Sequence, residues 1–244
     1  MSFLFVGEGR EYLLDAGETL ETDLGILEVP EDVRAGETVE THLGTAFVAR
    51  ELRGPDLFHH FERTGAPMMP RDIGLVMGHT GVKQGDTVLD AGTGTGVLAA
   101  SLARAGAEVL TYERDPEFAA VAGENMALAG VEDVVEVRAG DVTEELDDLA
   151  ADGEFDLLTL DTEDAPTVVE RAPDLLARGG FVAVYSPFVE ATSEVVRTAR
   201  DAGLDGVESL ETIQREMDVG DRGTRPSTAG VGHTGYLTFG RNPM

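Results

Sequence analysis

The sequence contains no cysteine, no apolar run long enough to cross a membrane, and only one lysine, Lys83. Without cysteine the chain has no disulfide, no thiolate nucleophile and no sulfur ligand for a metal. A transmembrane helix needs about 18 apolar residues in a row, and no secretory signal pattern precedes the first charged residues. We therefore expect a cytoplasmic protein that binds neither a membrane nor a metal.

The charge of the chain is one-sided, with 47 acidic against 18 basic residues and a net charge of −29. Taken as a whole, this charge argues against a polyanionic partner such as nucleic acid. An acid excess with almost no lysine is expected of proteins that work in molar salt, as in salt-loving archaea, where the Debye length is about 3 Å and self-repulsion is screened. The alternative is an acidic protein of an ordinary cytosol, which leaves the scarcity of lysine unexplained.

Sequence patterns divide the chain into three parts. Residues 17–25 and 36–44 share the pattern Gly-Glu-Thr-x-Glu-Thr-x-Leu-Gly, which predicts two similar hairpins in a small antiparallel, β-barrel-like domain over residues 1–49. Residues 50–71 contain several glycine and proline breakers and are predicted to be a linker. The third part, residues 72–244, is predicted to be a second, larger domain.

Residues 72–244 alternate between helical and extended patterns. Predicted helices cover residues 72–81, 97–104, 116–129, 167–177 and 190–202. Predicted strands cover residues 86–91, 108–113, 134–138, 155–160 and 181–185, followed by an antiparallel edge hairpin of residues 207–214 and 236–240. Strands that alternate with helices of this length indicate an α/β fold with a doubly wound, mainly parallel, Rossmann-like sheet.

A glycine-rich segment, Asp90-Ala-Gly92-Thr93-Gly94-Thr95-Gly96, connects the first of these strands to the helix that begins at Val97. Glycines at such a turn let the backbone approach a ligand and point helix N–H groups at it. The spacing also satisfies the dinucleotide fingerprint. By itself it does not decide between cofactors.

Acidic residues stand at the ends of the first four predicted strands of this part: Asp90, Glu113, Asp141 and Asp161. Such acids are often helix N-caps, which is the alternative to a binding role. Four acids in register at one sheet edge resemble the S-adenosylmethionine-dependent methyltransferases of the Rossmann-like class. The resemblance implies that Asp90 lies near the methionine part, Glu113 near the ribose and Asp141 near the adenine. The implied cofactor-binding residues are Asp90, Gly92, Thr93, Gly94, Thr95, Gly96, Val97, Glu113, Arg114, Asp141, Val142 and Asp161.

A second group of motifs lies outside this pattern. Arg225-Pro226 is followed after six residues by His233-Thr-Gly-Tyr236, and Thr41-His42-Leu-Gly44 and Pro70-Arg71-Asp72 precede the glycine loop. Together they resemble the tRNA (adenine-N1)-methyltransferase family over nearly the whole chain. The resemblance implies a homotetramer that methylates a T-loop adenine of tRNA, at position 58 and in archaea also at 57.

The family resemblance also implies roles for individual residues. The target base would be flipped out of the RNA, and Asp161 would be the catalytic residue, accepting a hydrogen bond from the adenine amine. The implied substrate-binding residues are Met69, Arg71, Arg225 and His233. For Arg225 and His233 the alternatives are a surface ion pair and a buried turn histidine.

The sequence departs from the family pattern at two places. Asp161-Thr-Glu-Asp164-Ala-Pro166 is one residue longer than the family's segment and holds two extra acids, so Asp164 is an alternative to Asp161. Met69 stands where some members carry an aromatic residue. Two other functions stay open: a methyltransferase for a small molecule such as a corrin precursor, and a non-catalytic RNA-binding scaffold.

The acidity is unevenly distributed along the chain. Residues 50–71 and residues 213–241 each hold four basic and three acidic residues, whereas the rest carries the acid excess. The arginines of these segments that are candidates for phosphate contacts are Arg53, Arg63, Arg71, Arg215, Arg222 and Arg225. The total charge therefore does not exclude tRNA as a partner.

If the acid excess is an adaptation to salt, the protein loses its fold when the salt concentration falls below roughly half-molar, because carboxylate repulsion is then no longer screened. Circular dichroism during dialysis from molar potassium chloride measures this transition. Full retention of the folded signal in dilute buffer would contradict the hypothesis.

Overall fold

Six short strands form the N-terminal part of the computed structural model, which describes residues 2–228 and 232–244. They are β1 (Ser2–Gly7), β2 (Arg10–Asp15), β3 (Thr19–Thr22), β4 (Gly25–Glu28), β5 (Thr38–Glu40) and β6 (Ala46–Arg50). Strands β2, β1, β6 and β5 make an antiparallel sheet in this order, and β3 pairs with β4 in a separate hairpin. Phe5, Leu27 and Phe47 are fully buried in the core of this part.

The sequence repeat corresponds to two hairpins, as predicted. Its first copy contains β3 and the turn into β4, and its second copy contains β5 and the turn into β6. The second copy also ties the hairpins together. The Thr41 hydroxyl donates to the Leu24 carbonyl at 2.8 Å, and His42 Nδ1 accepts from the Ile26 N–H at 2.7 Å. The Thr41-His42 motif thus holds the two hairpins in register with each other.

A seven-stranded sheet forms the centre of the rest of the chain. Its strands are β7 (Thr87–Ala91), β8 (Glu108–Glu113), β9 (Val135–Ala139), β10 (Phe155–Leu160), β11 (Leu176–Ser186), β12 (Asp205–Glu211) and β15 (Tyr236–Arg241). The order is β12-β15-β11-β10-β7-β8-β9, and β15 alone runs antiparallel to its neighbours. Strands β13 (Met217–Gly220) and β14 (Gly223–Pro226) form a separate, exposed ribbon. This arrangement confirms the Rossmann-like α/β fold.

Helices cover both faces of this sheet. They are α1 (Gly54–His60), α2 (Pro70–Thr80), α3 (Val97–Arg104), α4 (Pro116–Ala129), α5 (Leu146–Asp152), α6 (Ala165–Glu170), α7 (Ala172–Leu175) and α8 (Val189–Asp201). Successive residues of a strand point to opposite faces of the sheet. Val88 therefore packs on the face that α3 and α4 cover, and Leu89 packs on the face that α6 and α8 cover. In the described part of the chain, no helix is long and apolar enough to cross a membrane.

Several predicted elements differ from the structure. The helix predicted over residues 167–177 is divided into α6, α7 and the first residues of β11, because Pro173 has no N–H to continue a helix and is tolerated only in a first turn. Residues 54–60, inside the predicted linker, form α1, and α5 was not predicted. The two terminal strands form the predicted antiparallel pair at the edge of the sheet, with β12 outermost and β15 next to β11, but β12 ends at Glu211 rather than at residue 214.

The buried side chain of Asn125 in α4 connects two distant segments of the chain. Its amide nitrogen donates to the carbonyls of Glu62 and Thr95 at 3.0 and 2.9 Å, and its oxygen accepts from the Glu62 N–H at 3.0 Å. Glu62 belongs to the segment that leads into α2, and Thr95 belongs to the glycine loop. One side chain therefore holds both segments against α4.

Replacement of Asn125 by alanine leaves these three backbone groups without their partner. A buried unsatisfied group costs about 1–3 kcal/mol, and a chain of this size loses roughly 2–4 °C of melting temperature per kcal/mol. We expect Asn125→Ala to lower the melting temperature in molar salt by roughly 5–15 °C. Glu124→Ala, at an exposed position of the same helix, is the control and should melt within about 2 °C of the wild type. Equal losses in both variants would contradict the role given to Asn125.

Candidate functional site

Four carboxylates lie along one edge of the central sheet. Asp90 is next to last in β7, Glu113 ends β8, Asp141 follows β9, and Asp161 directly follows β10. The strands are parallel neighbours in the order β10-β7-β8-β9, so their carboxyl ends meet at the same edge. The topology thus brings together the four acids that the sequence pattern indicated.

The glycine loop, residues 92–96, is held between β8 and the end of β10. Gly92 has a φ of +91°, and a Cβ on it would lie 2.1 Å from the carbonyl oxygen of Asp161. The N–H groups of Gly92 and Thr93 donate to the Tyr112 carbonyl at 3.0 and 3.2 Å. Position 92 therefore requires glycine, both for its backbone conformation and for lack of space.

Asp90 is buried behind the glycine loop, where hydroxyl groups surround its carboxylate. The Thr111 hydroxyl donates to Oδ2 at 2.6 Å, and the Thr159 hydroxyl donates to Oδ1. Thr93 of the loop is hydrogen-bonded to the Thr111 hydroxyl, which accepts because its own proton points to Asp90. Burial raises the pKa of Asp90, and the two hydroxyl donors oppose that rise. Asp90 thus links β7, β8, β10 and the loop.

A cavity of about 40 Å³ opens between the glycine loop and the segment before α2. It is lined by Ala66, Pro67, Met68, Asp90, Gly92, Thr93, Gly94, Thr95, Gly96, Val97, Leu98 and Asp161. The Thr95 hydroxyl is buried and has no hydrogen-bond partner among the described residues. The space beside Thr95 is open, because a Cβ built on Gly94 would lie 4.0 Å from its nearest neighbouring atom. A buried hydroxyl without a partner beside open space fits a ligand that supplies a polar group.

Asp161 lines the same cavity and reaches the solvent in the cleft. Protein atoms still surround it closely enough that burial, together with the charge of Asp90, raises the pKa of the Asp161 carboxyl to about 7. The Tyr185 hydroxyl in β11 lies within electrostatic reach of Asp161, and burial raises the pKa of Tyr185. Asp161 therefore changes its charge near neutral pH, as functional carboxylates often do.

Glu113 and Asp141 lie further along the edge. Glu113 Oε2 accepts from the Gly94 N–H at 2.9 Å. Asp141 caps the 3₁₀ turn Val142–Glu144 by accepting from the N–H and the hydroxyl of Thr143, and these bonds lower its pKa. Of the four acids, Asp141 is the one for which the N-cap alternative applies.

Arg114 binds acids from two segments. Its guanidinium lies 3.6 Å from Asp141 and 3.1 Å from Glu163, and it also contacts Asp164. Asp164, the alternative to Asp161, is thus engaged by Arg114 and is not among the residues that line the cavity.

Two residues that were predicted to bind a ligand do not line the cavity. Val142 is 5% exposed and belongs to the core. Met69 is 38% exposed at the start of α2, while its neighbour Met68, which sequence reasoning did not select, lines the cavity. Within residues 2–228 and 232–244, no group of three or more histidine and acidic side chains is placed to hold a metal ion.

Arg71 is nearly buried at the start of α2 and holds residues 232–234 in place. Its guanidinium donates to the Gly232 carbonyl at 3.1 Å and to the Thr234 hydroxyl at 2.8 Å. Thr234 donates in turn to Asp72 at 3.0 Å. Arg71 therefore binds its own chain in this structure and does not present its guanidinium to the surface.

The His-Thr-Gly-Tyr segment packs against Tyr185 in β11, a contact that sequence reasoning missed. Thr234 is hydrogen-bonded to Tyr185, the residue that faces Asp161. A Cβ on Gly235 would lie 2.5 Å from Cζ of Tyr185, so the backbone packs directly on the ring. The motif itself is visible in the sequence, but its contact with Tyr185 is not.

Arg225 and His233 do not line the cavity. Arg225 is exposed on the β13–β14 ribbon, 3.5 Å from Asp218 on the other strand. His233 Nδ1 lies 2.7 Å from Glu211, and its ring packs edge-on against Tyr236. Residues 229–231, in the spacer between Pro226 and His233, lie outside the described residues.

Known proteins resemble this chain in sequence and in structure. Residues 58–224 match the protein family described as the tRNA methyltransferase complex GCD14 subunit. The chain is 32% identical to the tRNA (adenine(57)-N(1)/adenine(58)-N(1))-methyltransferase TrmI of Methanocaldococcus jannaschii, over 96% of this chain and 92% of that protein.

Two solved structures cover the whole chain. The S-adenosylmethionine-dependent O-methyltransferase from Thermotoga maritima superposes with a TM-score of 0.81 at 26% identity, covering 100% of this chain and 93% of that one. The tRNA (m1A58) methyltransferase TrmI from Aquifex aeolicus superposes with a TM-score of 0.72 at 21% identity, covering 100% and 97%. The fold is thus that of a methyltransferase throughout, and the sequence match extends from one end of the chain to the other. The chain belongs to the tRNA (adenine-N1)-methyltransferase family.

Proposed function

We propose that the protein methylates N1 of adenine 58 in the T-loop of tRNA, with adenine 57 as a second target. The family supplies the reaction class, and the M. jannaschii relative carries both positions in its name. The observation that carries the proposal is the position of Asp161, a carboxylate with a pKa near neutrality that stands against the glycine loop. A small-molecule substrate, the alternative, does not account for a match to a tRNA enzyme over 96% of this chain.

The residues around the cavity fit S-adenosylmethionine. Thr95 offers a buried hydroxyl without a partner, and the space above Gly94 is open. Glu113, beside the Gly94 N–H, would hold the ribose hydroxyls. Asp141 Oδ1 is engaged by Thr143, and Oδ2 lies 3.6 Å from Arg114 Nε, beyond hydrogen-bond distance, so Oδ2 would accept from the adenine amine while it stays beside the guanidinium. When bound, the cofactor supplies an electrophilic methyl group.

The chemistry at the acceptor needs no general base. Adenine N1 already carries a free lone pair, so positioning and electrostatic stabilisation account for the rate. An ionised Asp161 would accept a hydrogen bond from the N6 amine of a base that has been flipped out of the RNA. This bond selects adenine over guanine and stabilises the positive charge that develops on the ring.

The contacts of Asp164 support Asp161 as the residue for this role. Asp164 forms an ion pair with Arg114, whereas Asp161 lines the cavity next to the glycine loop. An acid that is already bound to an arginine is a weaker acceptor for an amine. The longer segment after β10 thus places its extra acids on Arg114, since Glu163 lies 3.1 Å from the same guanidinium.

Exposed arginines outside the acidic surface are the proposed contacts to the RNA backbone. Arg222 and Arg225 lie on the exposed β13–β14 ribbon, where Arg225 forms an ion pair with Asp218 that is exposed and contributes little to stability. Arg63 and Arg71 are instead engaged by their own chain, Arg63 through the ring of Phe58 at 4.7 Å. Phosphate contacts weaken steeply with salt, so shape, stacking and base contacts carry more of the binding in molar salt.

We also propose a homotetramer that works in a salt-rich cytoplasm. Three apolar side chains near the ribbon, Ile213, Met217 and Val219, are 64%, 53% and 79% exposed. Exposed apolar patches of this kind commonly mark contacts between proteins, which supports self-association. Light scattering in molar salt measures the oligomeric state.

Methyl transfer in molar salt to unmodified tRNA, with the product nucleoside identified and mapped, tests the function. Four transcripts that carry adenine or guanine at positions 57 and 58 separate the two targets. We expect 1-methyladenosine wherever either position is adenine and no product when both are guanine. A different methylated nucleoside, or transfer to the double-guanine transcript, would contradict the proposal.

Asp161→Ala should lower the rate of methyl transfer by about 10²–10⁴-fold, because the hydrogen bond to the reacting base is lost. The affinity for the demethylated cofactor product, S-adenosylhomocysteine, measured by calorimetry at pH 8, should stay within about threefold of the wild type, because this ligand lacks the sulfonium charge. The matched control is Asp164→Ala, which removes an exposed ion pair of little energetic weight. If Asp164→Ala is the slower variant, the role belongs to Asp164.

A further inference from the structure

Asp90 and Asp161 are fixed at the same small cavity by neighbouring strands. Thr159 pairs with Asp90 in the register of β7 and β10, and its hydroxyl donates to the Asp90 carboxylate. The Asp161 N–H donates to the Ala91 carbonyl at 2.8 Å. Both carboxylates line the cavity beside the glycine loop. Rigid backbone pairing therefore keeps two acids together at this point.

The two acids have different hydrogen-bond environments. Asp90 is buried and accepts from two threonine hydroxyls, and both donors favour its ionised form. In the described part of the chain, no group donates to the carboxylate of Asp161. When the pair holds one proton, that proton consequently resides on Asp161.

The other charged and titratable groups around the pair do not compensate for two negative charges. Glu113 from β8 adds a further negative charge on the side of Asp90. Tyr185 from β11 faces Asp161 and is neutral, since burial raises its pKa above the usual value. Arg71 and Asp72 from α2 also lie within electrostatic reach of Tyr185 and form an ion pair with each other at 3.6 Å. Arg114 is paired with Asp141, Glu163 and Asp164. Among the described residues, none of the arginines named here is therefore left without an acidic partner to balance the pair.

We propose that Asp90 and Asp161 act as a pair that holds one proton on Asp161 in the free protein and releases it to solvent when the sulfonium cation of the cofactor enters the cleft. This inference rests on the proposed use of S-adenosylmethionine. Two carboxylates at one site do not both ionise readily without a cation. The demethylated product, S-adenosylhomocysteine, carries a neutral thioether in place of the sulfonium, so it does not expel the proton.

The pair has two consequences for the reaction. Cofactor binding drives the fraction of Asp161 that still holds a proton into the ionised state, which is the state that accepts from the adenine amine. The protein also discriminates between cofactor and product by charge, and this discrimination grows as the pH rises towards 8. At pH 6 nearly every free molecule carries the proton on Asp161, and the free energy needed to expel it reduces the preference for the cofactor.

Calorimetric titration in buffers of different ionisation enthalpy measures the proton released on binding. For S-adenosylmethionine and the wild-type protein we expect release of nearly one proton at pH 6 and about half a proton at pH 7, with affinity that rises roughly tenfold between pH 6 and pH 8. S-adenosylhomocysteine is the matched control ligand and should release no proton from this pair.

Two variants assign the proton. Asp161→Asn should abolish the proton release that comes from Asp161 when S-adenosylmethionine binds. Any release that remains in this variant measures the contribution of the ligand's own amino group. Asp90→Asn removes the buried charge and should shift the midpoint of the pH dependence to lower pH. Melting curves test whether each variant is folded. If Asp90→Asn does not fold, the difference in proton release between the wild type and Asp161→Asn tests the inference by itself.

The inference is overturned if the wild type releases no more protons on binding S-adenosylmethionine than Asp161→Asn does. Failure of both ligands to bind at any pH contradicts the proposed function instead. A chain that binds both ligands and methylates tRNA, but with equal proton release for the two, overturns the inference and leaves the function intact.

Discussion

The hydrogen bonds to the buried carboxylate of Asp90 are the interaction on which the rest of the site depends. An ionised carboxylate is costly to bury unless hydrogen bonds replace its hydration. Here the hydroxyls of Thr111 and Thr159 supply them, one from each neighbouring strand, and Thr93 extends the chain of bonds into the glycine loop. The requirements of one charge therefore fix three strand ends and the loop relative to one another.

The close contact between the glycine loop and β10 has a chemical consequence as well as a structural one. Gly92 approaches the Asp161 backbone so closely that no side chain fits between them. The same closeness surrounds Asp161 with protein atoms on the side of the loop and brings it near the charge of Asp90, and together these raise its pKa to about 7 although it still reaches the solvent. Packing of the loop and reactivity of the acid are thus two results of the same contact.

Much of the central fold could be predicted from the sequence because its signals are local. The strands that end in Glu113 and Leu160 and the helix from Val97 to Arg104 have the predicted bounds, since glycines, prolines and apolar runs mark them directly. The position of the four acids then follows from parallel topology. The division of residues 165–175 by Pro173 was open to prediction from the same local rules and was missed.

The parts that could not be predicted depend on contacts between distant residues. Arg71 was expected to face RNA, and nothing near it in sequence indicates that Thr234 and Gly232 accept from its guanidinium. The choice between Asp161 and Asp164 likewise depends on where Arg114 lies after folding. A pattern in one sequence reports which residue types are present, but not which of them already have partners.

The place of β15 in the sheet bears on how the chain folds during its synthesis. Strands β7 to β10, with the glycine loop and the four acids, are complete once residue 161 has left the ribosome. Strand β12 cannot join the sheet until residues 236–241 have inserted between it and β11, and Thr234 reaches Arg71 only at that time. Domains fold as their segments emerge, so a nascent chain would assemble the glycine loop and its four acids well before residues 232–235 pack against Arg71 and Tyr185.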